Sequence, residues 1–268
     1  MSSARVDCCF QRGDNYLRAL KWYKSLSDFR KRNEEGFFLL EGFKAVQQVI
    51  KCTPGSIDEL VVTEKIFSEL IKEAKFPVRI ISESQFKVIS SSKTPQGILA
   101  VVKIPHNSYC PELPDRIGLK ILFLEHIQDP GNVGTLIRTA VAFGFSGVIL
   151  SRQCADPFSS KVLQATAGSV LSLWIRRTEK YAQCLEKLKI SGFKVFAADI
   201  RGESHIDFSS GSKQVVVLGN EGGGITEPLL EKADIRFRIP FDSQRIESLN
   251  VAVSGSVAMF CISQGIGW

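Results

Sequence analysis

The chain has 268 residues, 44% of them hydrophobic and 23% charged, an ordinary globular composition that excludes a disordered or fibrous protein. A chain this long buries a large core without a disulfide or metal staple, and it suits two modest domains of roughly 100–200 residues each. Lys and Arg number 34 against 28 Asp and Glu, a net charge of +6 that is compatible with a nucleic-acid or phosphate-bearing partner without requiring one.

Most of the excess charge lies at the front of the chain. Arg12, Arg18, Lys21, Lys24, Arg30, Lys31 and Arg32 are opposed there only by Asp14 and Asp28. Tyr16, Trp22, Tyr23 and Phe29 are interleaved with them, the mixture that follows a phosphate backbone and stacks on exposed bases. An amphipathic helix with its aromatics turned to the core explains the same residues. Next, Glu41 to Lys51 places Phe43, Val46, Val49 and Ile50 at helical spacing, and strand-like runs follow at Leu60–Thr63, Val78–Ser82 and Gly97–Val102. Residues 1–105 thus read as a basic segment leading into a small α/β unit. A polar stretch with Pro105, Pro111 and Pro114 follows, and 106–117 is the linker candidate.

From residue 118 to 268 the pattern alternates. Strands are expected at Leu119–Leu124, Gly147–Leu150, Phe193–Ala198, Val215–Leu218 and Ile235–Ile239. Helices are expected at Asn132–Phe143, Ser159–Leu171, Tyr181–Ser191 and from about Ser248 to Gln264. This predicts an α/β fold with a parallel sheet covered on both faces, and ligands outside the carboxyl ends of its strands. The seven cysteines are odd in number and scattered without a C-x-x-C pair, and His106, His126 and His205 are isolated, so reduced thiols and no metal site are expected. No stretch resembles a signal peptide or reaches the roughly 18 apolar residues of a membrane span, which points to a cytoplasmic protein without membrane contact.

Three polar, glycine-bearing segments fall just after expected strands. The first, Asp129 to Arg138, offers Asn132 as a helix N-cap and sets Arg138 in an otherwise apolar helix, where a guanidinium must find an anion or form a structural ion pair. In the second, Val215 to Gly224, a buried strand opens into four glycines around Glu221. Glycines permit close backbone approach, either to a ligand or within a plain turn. Neither a G-x-G-x-x-G fingerprint nor a G-K-[ST] loop occurs, which excludes the common dinucleotide and P-loop sites. The third, Ile239 to Val253, crosses a polar loop into a last helix rich in small residues (Ala252, Ser254, Gly255, Ser256, Ala258), with Ser248 or Asn250 at its start.

In this order, N-x-G-x-x-x-R-x-A, L-G-N-E-G-x-G and I-P-…-E-S-L-N-V-A-V resemble the three motifs of the SpoU (TrmH-like) RNA 2′-O-ribose methyltransferases of the SPOUT superfamily, over roughly residues 118–265. Phe38-Leu39-Leu40-Glu41-Gly42 and Ser92 to Ala100 resemble the ribosomal-protein-like substrate-binding domain common in that family. The resemblance implies a trefoil knot in the C-terminal domain, a homodimer with its site at the interface, and contact through the small-residue face of the last helix. It implies S-adenosylmethionine as methyl donor, without a metal, held near Leu218, Gly219, Asn220, Gly224, Ile239, Pro240 and Leu249. Arg138 is then the key catalytic residue, with Asn132, Glu221, Ser248 and Asn250 shaping the site. A guanidinium is a poor base, so Arg138 would stabilise a developing alkoxide or bind the neighbouring phosphate.

One departure stands out: no glycine lies between Pro240 and Ser248, where the family has one, and the loop is one residue longer. The leading expectation is a methyltransferase acting on rRNA rather than tRNA, with Lys21, Lys24, Arg30, Lys31 and Arg32 touching RNA. A non-catalytic RNA-binding protein on the same fold is the alternative, resting on that altered loop.

Overall fold

A computed structural model describes residues 18–66, 76–208 and 212–268. The expectations for Arg12, Asp14 and Tyr16, and for Cys8 and Cys9, fall outside them.

The chain begins with two short helices, α1 (Leu20–Ser25) and α2 (Phe29–Glu35). Asp28 caps α2 by accepting from the Lys31 amide at 3.1 Å, and Gly36 ends it at φ 75°. A four-stranded sheet follows, built from β1 (Phe37–Glu41), β2 (Ile57–Thr63), β3 (Val78–Ile81) and β4 (Ile98–Lys103) in the order β1-β4-β2-β3. α3 (Phe43–Cys52) and α4 (Glu83–Ile89) pack against this sheet, and Ser82 and Gln85 form a reciprocal cap on α4. Glu41, expected in the helix, ends β1 instead, because the alternation of Phe38 and Leu40 into the core continues up to it.

The second sheet has six parallel strands in the order β10-β8-β9-β5-β6-β7. They are β5 (Lys120–Leu124), β6 (Gly147–Ser151), β7 (Trp174–Thr178), β8 (Lys194–Glu203), β9 (Gln214–Leu218) and β10 (Ile235–Phe237). Its helices are α5 (Pro130–Ala142), α6 (Ser160–Thr166), α7 (Tyr181–Ile190), α8 (Glu227–Leu230) and α9 (Val251–Gln264). Side chains alternate across β5. Leu122 and Leu124 join α5 and α9 on one face; Ile121 and Phe123 join Cys184, Leu185 and Leu188 of α7 on the other. Four expectations are corrected. The single helix over 159–171 breaks where Ala167 and Gly168 take left-handed backbone; β7 was not anticipated; β10 stops at Phe237; and α9 starts at Val251.

The two sheets share one continuous core: Phe38, Leu40 and Val46 of the first part pack in the same cluster as Leu136, Phe158 and Leu173 of the second. Phe38 and Phe158 meet with ring centroids 5.1 Å apart, and Arg32 pairs with Asp156. Gly168, at φ 87°, backs onto α3 so closely that a Cβ there would lie 2.6 Å from the Ala45 carbonyl oxygen. Between β4 and β5 no regular element forms, yet this stretch is tied down. The Ser108 carbonyl accepts from the Arg177 amide at 2.8 Å, and the Tyr109 hydroxyl donates to Asp156 at 2.9 Å. Trp268 ends the chain against Phe208 and Phe237, its Nε1 donating to the Arg238 carbonyl at 3.2 Å. Among the described residues no helix is long and apolar enough to cross a membrane.

Candidate functional site

Leu124 of β5 and Leu218 of β9 are register partners, so the segments leaving these two strands start side by side. This is also where the strand order reverses. The chain runs from β5 through β6 to β7 at one edge, then returns to the far side of β5, opening a crevice at the carboxyl ends.

Asp129, not Asn132, is the N-cap of α5; it accepts from the Asn132 amide at 2.8 Å, and Pro130 takes the first helical position. Asn132 therefore lies in the first turn with its side chain free for other partners. Its Nδ2 donates to Glu221 Oε1, and its Oδ1 accepts from Asn250 Nδ2 at 3.2 Å. Asn250 caps α9, its Oδ1 accepting from the amides of Ala252 at 2.9 Å and Val253 at 3.3 Å. With Asn250 in that role, Ser248 is left in the wall of the cavity described below. The three segments singled out in the sequence thus meet through Asn132, Glu221 and Asn250.

The glycine segment is folded on itself. The backbones of Asn220 and Gly224 exchange hydrogen bonds of 3.1 and 2.9 Å, and Asn220 Oδ1 accepts from the amides of Gly222 and Gly223. A Cβ on Gly219 would lie 2.2 Å from the Gly224 carbonyl carbon, so this glycine is required by the loop's own return path. Around Gly223 and Gly224 a Cβ would meet nothing within 4 Å, and their main chain borders open space.

That space is a cavity of about 370 Å³. Leu218, Ile225, Phe237, Ile239, Phe241 and Leu249 give it apolar walls, and Asp199, Glu221 and Glu247 add carboxylates. Gly219, Asn220 and Gly224 border it, whereas Pro240 is exposed and stands outside the lining. Although the loop lacks a glycine, Phe241 and Glu247 still reach the cavity. Asp199 and Arg201, beyond the expected end of β8, were missed; the sequence signal was a third buried strand running into polar residues around a single glycine, Gly202. Burial works against charge on Asp199, yet bonds from Arg201, one of them 3.0 Å from Nη2, hold its carboxyl below the usual range.

Arg138 does not join this group. Six residues beyond Asn132, it lies about 9 Å along α5 and about 240° round it. It is exposed, with no hydrogen bond or ion pair among the described residues, which corrects the expectation that a guanidinium in this apolar helix must find an anion or a structural ion pair within the chain. The small residues of α9 also face the other way from expectation. Gly255 packs inward, where a Cβ would lie 2.4 and 2.5 Å from Leu136 and Leu218, while Val253 and Phe260 point out.

The basic stretch divides. Lys21, Lys24 and Arg30 are exposed and their side chains have no partner among the described residues. Lys31 is held by Glu35 at 2.8 Å and Glu34 at 3.2 Å. Arg32 is a correction: only 3% exposed, it pairs with Asp156 and donates to the carbonyls of Leu26 and Ser27, so it is a structural residue and does not reach RNA. The aromatics serve packing as well. Tyr23 is fully buried, Trp22 lies under the Arg18 guanidinium and meets Phe37 edge-on, and Phe29 lies 4.4 Å from the Arg152 guanidinium. Among the described residues no cluster of three His, Cys, Asp or Glu side chains is placed to hold a metal.

The sequence profile of the SpoU rRNA Methylase family matches residues 120–260, and that of the MRM3-like substrate binding domain matches residues 18–100. A relative from Bacillus subtilis, the 23S rRNA (guanosine(2553)-2′-O)-methyltransferase RlmP, is 31% identical over 242 residues, 90% of this chain and 94% of that protein. The AdoMet-bound rRNA methyltransferase of Sinorhizobium meliloti superposes with a TM-score of 0.75 at 28% identity, over 91% of this chain and 93% of that one. The SpoU methyltransferase AviRb of Streptomyces viridochromogenes, solved with AdoMet, shares the fold at a TM-score of 0.79 and 21% identity, over 91% and 96%.

Proposed function

Because the chain belongs to the SpoU rRNA methylase family, we propose that it transfers a methyl group from S-adenosylmethionine to a ribose 2′-hydroxyl of ribosomal RNA. The observation that carries this reading is the meeting of Asn132, Glu221 and Asn250 beside one cavity.

The cavity fits the methyl donor in size and in chemistry. About 370 Å³ lies within the roughly 300–1,000 Å³ usual for small-molecule sites. Its apolar walls suit an adenine; Glu221 and Glu247 complement a ligand bearing sulfonium and ammonium charges, and Arg238 complements its carboxylate, while Asp199 is already paired with Arg201. When bound, S-adenosylmethionine supplies an electrophilic methyl group. The chain's own task is to orient a weak nucleophile and ease the loss of its proton. Glu221, fixed by Asn132, presents a carboxylate that accepts a hydrogen bond from an incoming hydroxyl, and Ser248 adds a second polar group on the same wall.

Arg138 enters this reading through a second copy of the chain. Val253 is 52% exposed and Phe260 43%; seven residues apart, they form an outward apolar face on α9, with Phe143 packed against Phe260 at 5.7 Å. Thr139, next to Arg138, meets Ser256 of α9 at 3.3 Å, so Arg138 stands beside this face. A homodimer closing over it would deliver Arg138 to the neighbouring site as an electrostatic stabiliser of the alkoxide. Lys21, Lys24 and Arg30 supply RNA-binding charge, and rRNA in the cytoplasm is the expected substrate.

The test is to map ribose methylation in RNA from cells with and without the gene, and to follow labelled methyl transfer to rRNA in vitro. Loss of a 2′-O-methyl group from rRNA supports the reading; loss from tRNA alone, or no loss, overturns it.

A further inference from the structure

Glu125, the first residue past β5, is fully buried, yet it forms no ion pair among the described residues. Burying a carboxylate is costly unless donors surround it. Three do so: the Thr226 amide donates to Oε2 at 2.8 Å, the Thr226 hydroxyl to Oε1 at 2.8 Å, and the Tyr181 hydroxyl to Oε1 at 3.0 Å. Burial and the bond to Glu125 push Tyr181 up to about 12, so its phenol keeps its proton.

The neighbour of Glu125 is equally constrained. His126 has φ 57°, a left-handed backbone uncommon for a residue with a side chain, and in that conformation its carbonyl accepts from Asn220 Nδ2 at 2.8 Å. The Glu125 amide itself donates to the Leu218 carbonyl at 2.9 Å. Asn220 opens the glycine loop and Thr226 closes it. Residues 125 and 126 therefore hold both feet of a loop whose span from Leu218 to Ile225 borders the cavity.

We propose that Glu125 is a positioning residue for the methyl-donor site: through Thr226, and with His126 gripping Asn220, it holds the glycine loop in the shape that receives the cofactor. The proposal rests on the reading of the cavity as the S-adenosylmethionine site. Glu125 does not border the cavity, so it acts on the ligand only through the loop.

The experiment measures S-adenosylmethionine binding by calorimetry, RNA affinity, and steady-state kinetics on the full chain and on Glu125→Gln, Thr226→Val and Thr226→Ser. Glu125→Gln turns an amide nitrogen toward groups that are themselves donors; Thr226→Val keeps the side-chain shape and removes the hydroxyl. Both should raise the cofactor Kd and KM by about tenfold, with kcat at saturating cofactor and RNA affinity unchanged. Thr226→Ser, which keeps both donors, should bind like the unaltered chain. The proposal is overturned if Thr226→Val binds cofactor normally, if Thr226→Ser is as impaired as Thr226→Val, or if kcat falls without a change in Kd. Absence of binding by the unaltered chain would instead overturn the reading of the cavity. Thr226 is exposed, so its variants keep the test decisive should Glu125→Gln fail to fold.

Discussion

Asn132 and Glu221 are 89 residues apart, and the side-chain Nδ2 of Asn132 donates to the Glu221 carboxylate. The bond exists because β5 and β9 are neighbours in register and release their following loops at the same edge. It sets the position of a charged group beside the cavity without Asn132 bordering the cavity itself.

Asn132→Ala should therefore lower kcat by about 100-fold while leaving the S-adenosylmethionine Kd within a few-fold. Kinetics paired with calorimetry check this. A large loss of cofactor affinity with kcat preserved would mean that Asn132 serves the ligand and not Glu221.

Arg138→Ala should abolish methyl transfer while cofactor binding persists. If Arg138 acts across a dimer, mixing Arg138→Ala chains with Asn132→Ala chains rebuilds one intact site in each mixed pair. Random mixing then restores about a quarter of normal activity. Two inactive variants that remain inactive together would remove the cross-subunit role.

Neutralising Lys21, Lys24 and Arg30 together should weaken RNA binding and flatten its salt dependence, the slope falling by about 0.7–0.9 for each phosphate that is no longer neutralised. Cofactor affinity should not change. Arg32→Ala should behave otherwise, because it leaves Asp156 buried without its partner: a loss of about 3–5 kcal/mol in stability, read by denaturant unfolding.

Acid should destabilise the fold through two carboxyls. At Asp199 and at Asp234 burial opposes the charge, yet bonds from Arg201, and from Lys189 and the Val195 amide, leave each carboxyl lowered. A carboxyl lowered on folding contributes stability above its unfolded value of about 3.9, and that contribution is lost as pH falls through the folded value. The melting temperature should drop below about pH 4, and less steeply in Asp199→Asn and Asp234→Asn.

Much of the candidate site is legible because two of its segments follow buried apolar strands, β5 and β9, and change abruptly to polar residues and glycine, whereas the third turns polar after β10 without one. The parts that sequence does not reveal depend on distant partners. Arg32 looks like its exposed neighbours until Asp156, 124 residues away, is placed against it. β7 carries Arg176 and Arg177 in five residues, a composition that argues against a buried strand; Arg176 is nevertheless buried, its guanidinium donating to the Glu112 carbonyl. Asn132 and Asp129, three residues apart, cap helices about equally well, so residue type alone does not rank them; Asp129 takes the role because Pro130 occupies the first helical position.

The shared core between the two sheets has a consequence for target choice. Swinging the first part away from the second would strip Phe38, Leu40 and Val46 of their neighbours and leave Arg32 and Asp156 apart, so the chain behaves as a caliper with a fixed gap. One jaw carries Lys21, Lys24 and Arg30; the other carries Asn132 and Glu221. On the proposed reading, an RNA must then offer its reactive sugar at one set distance from the backbone it presents to the first jaw.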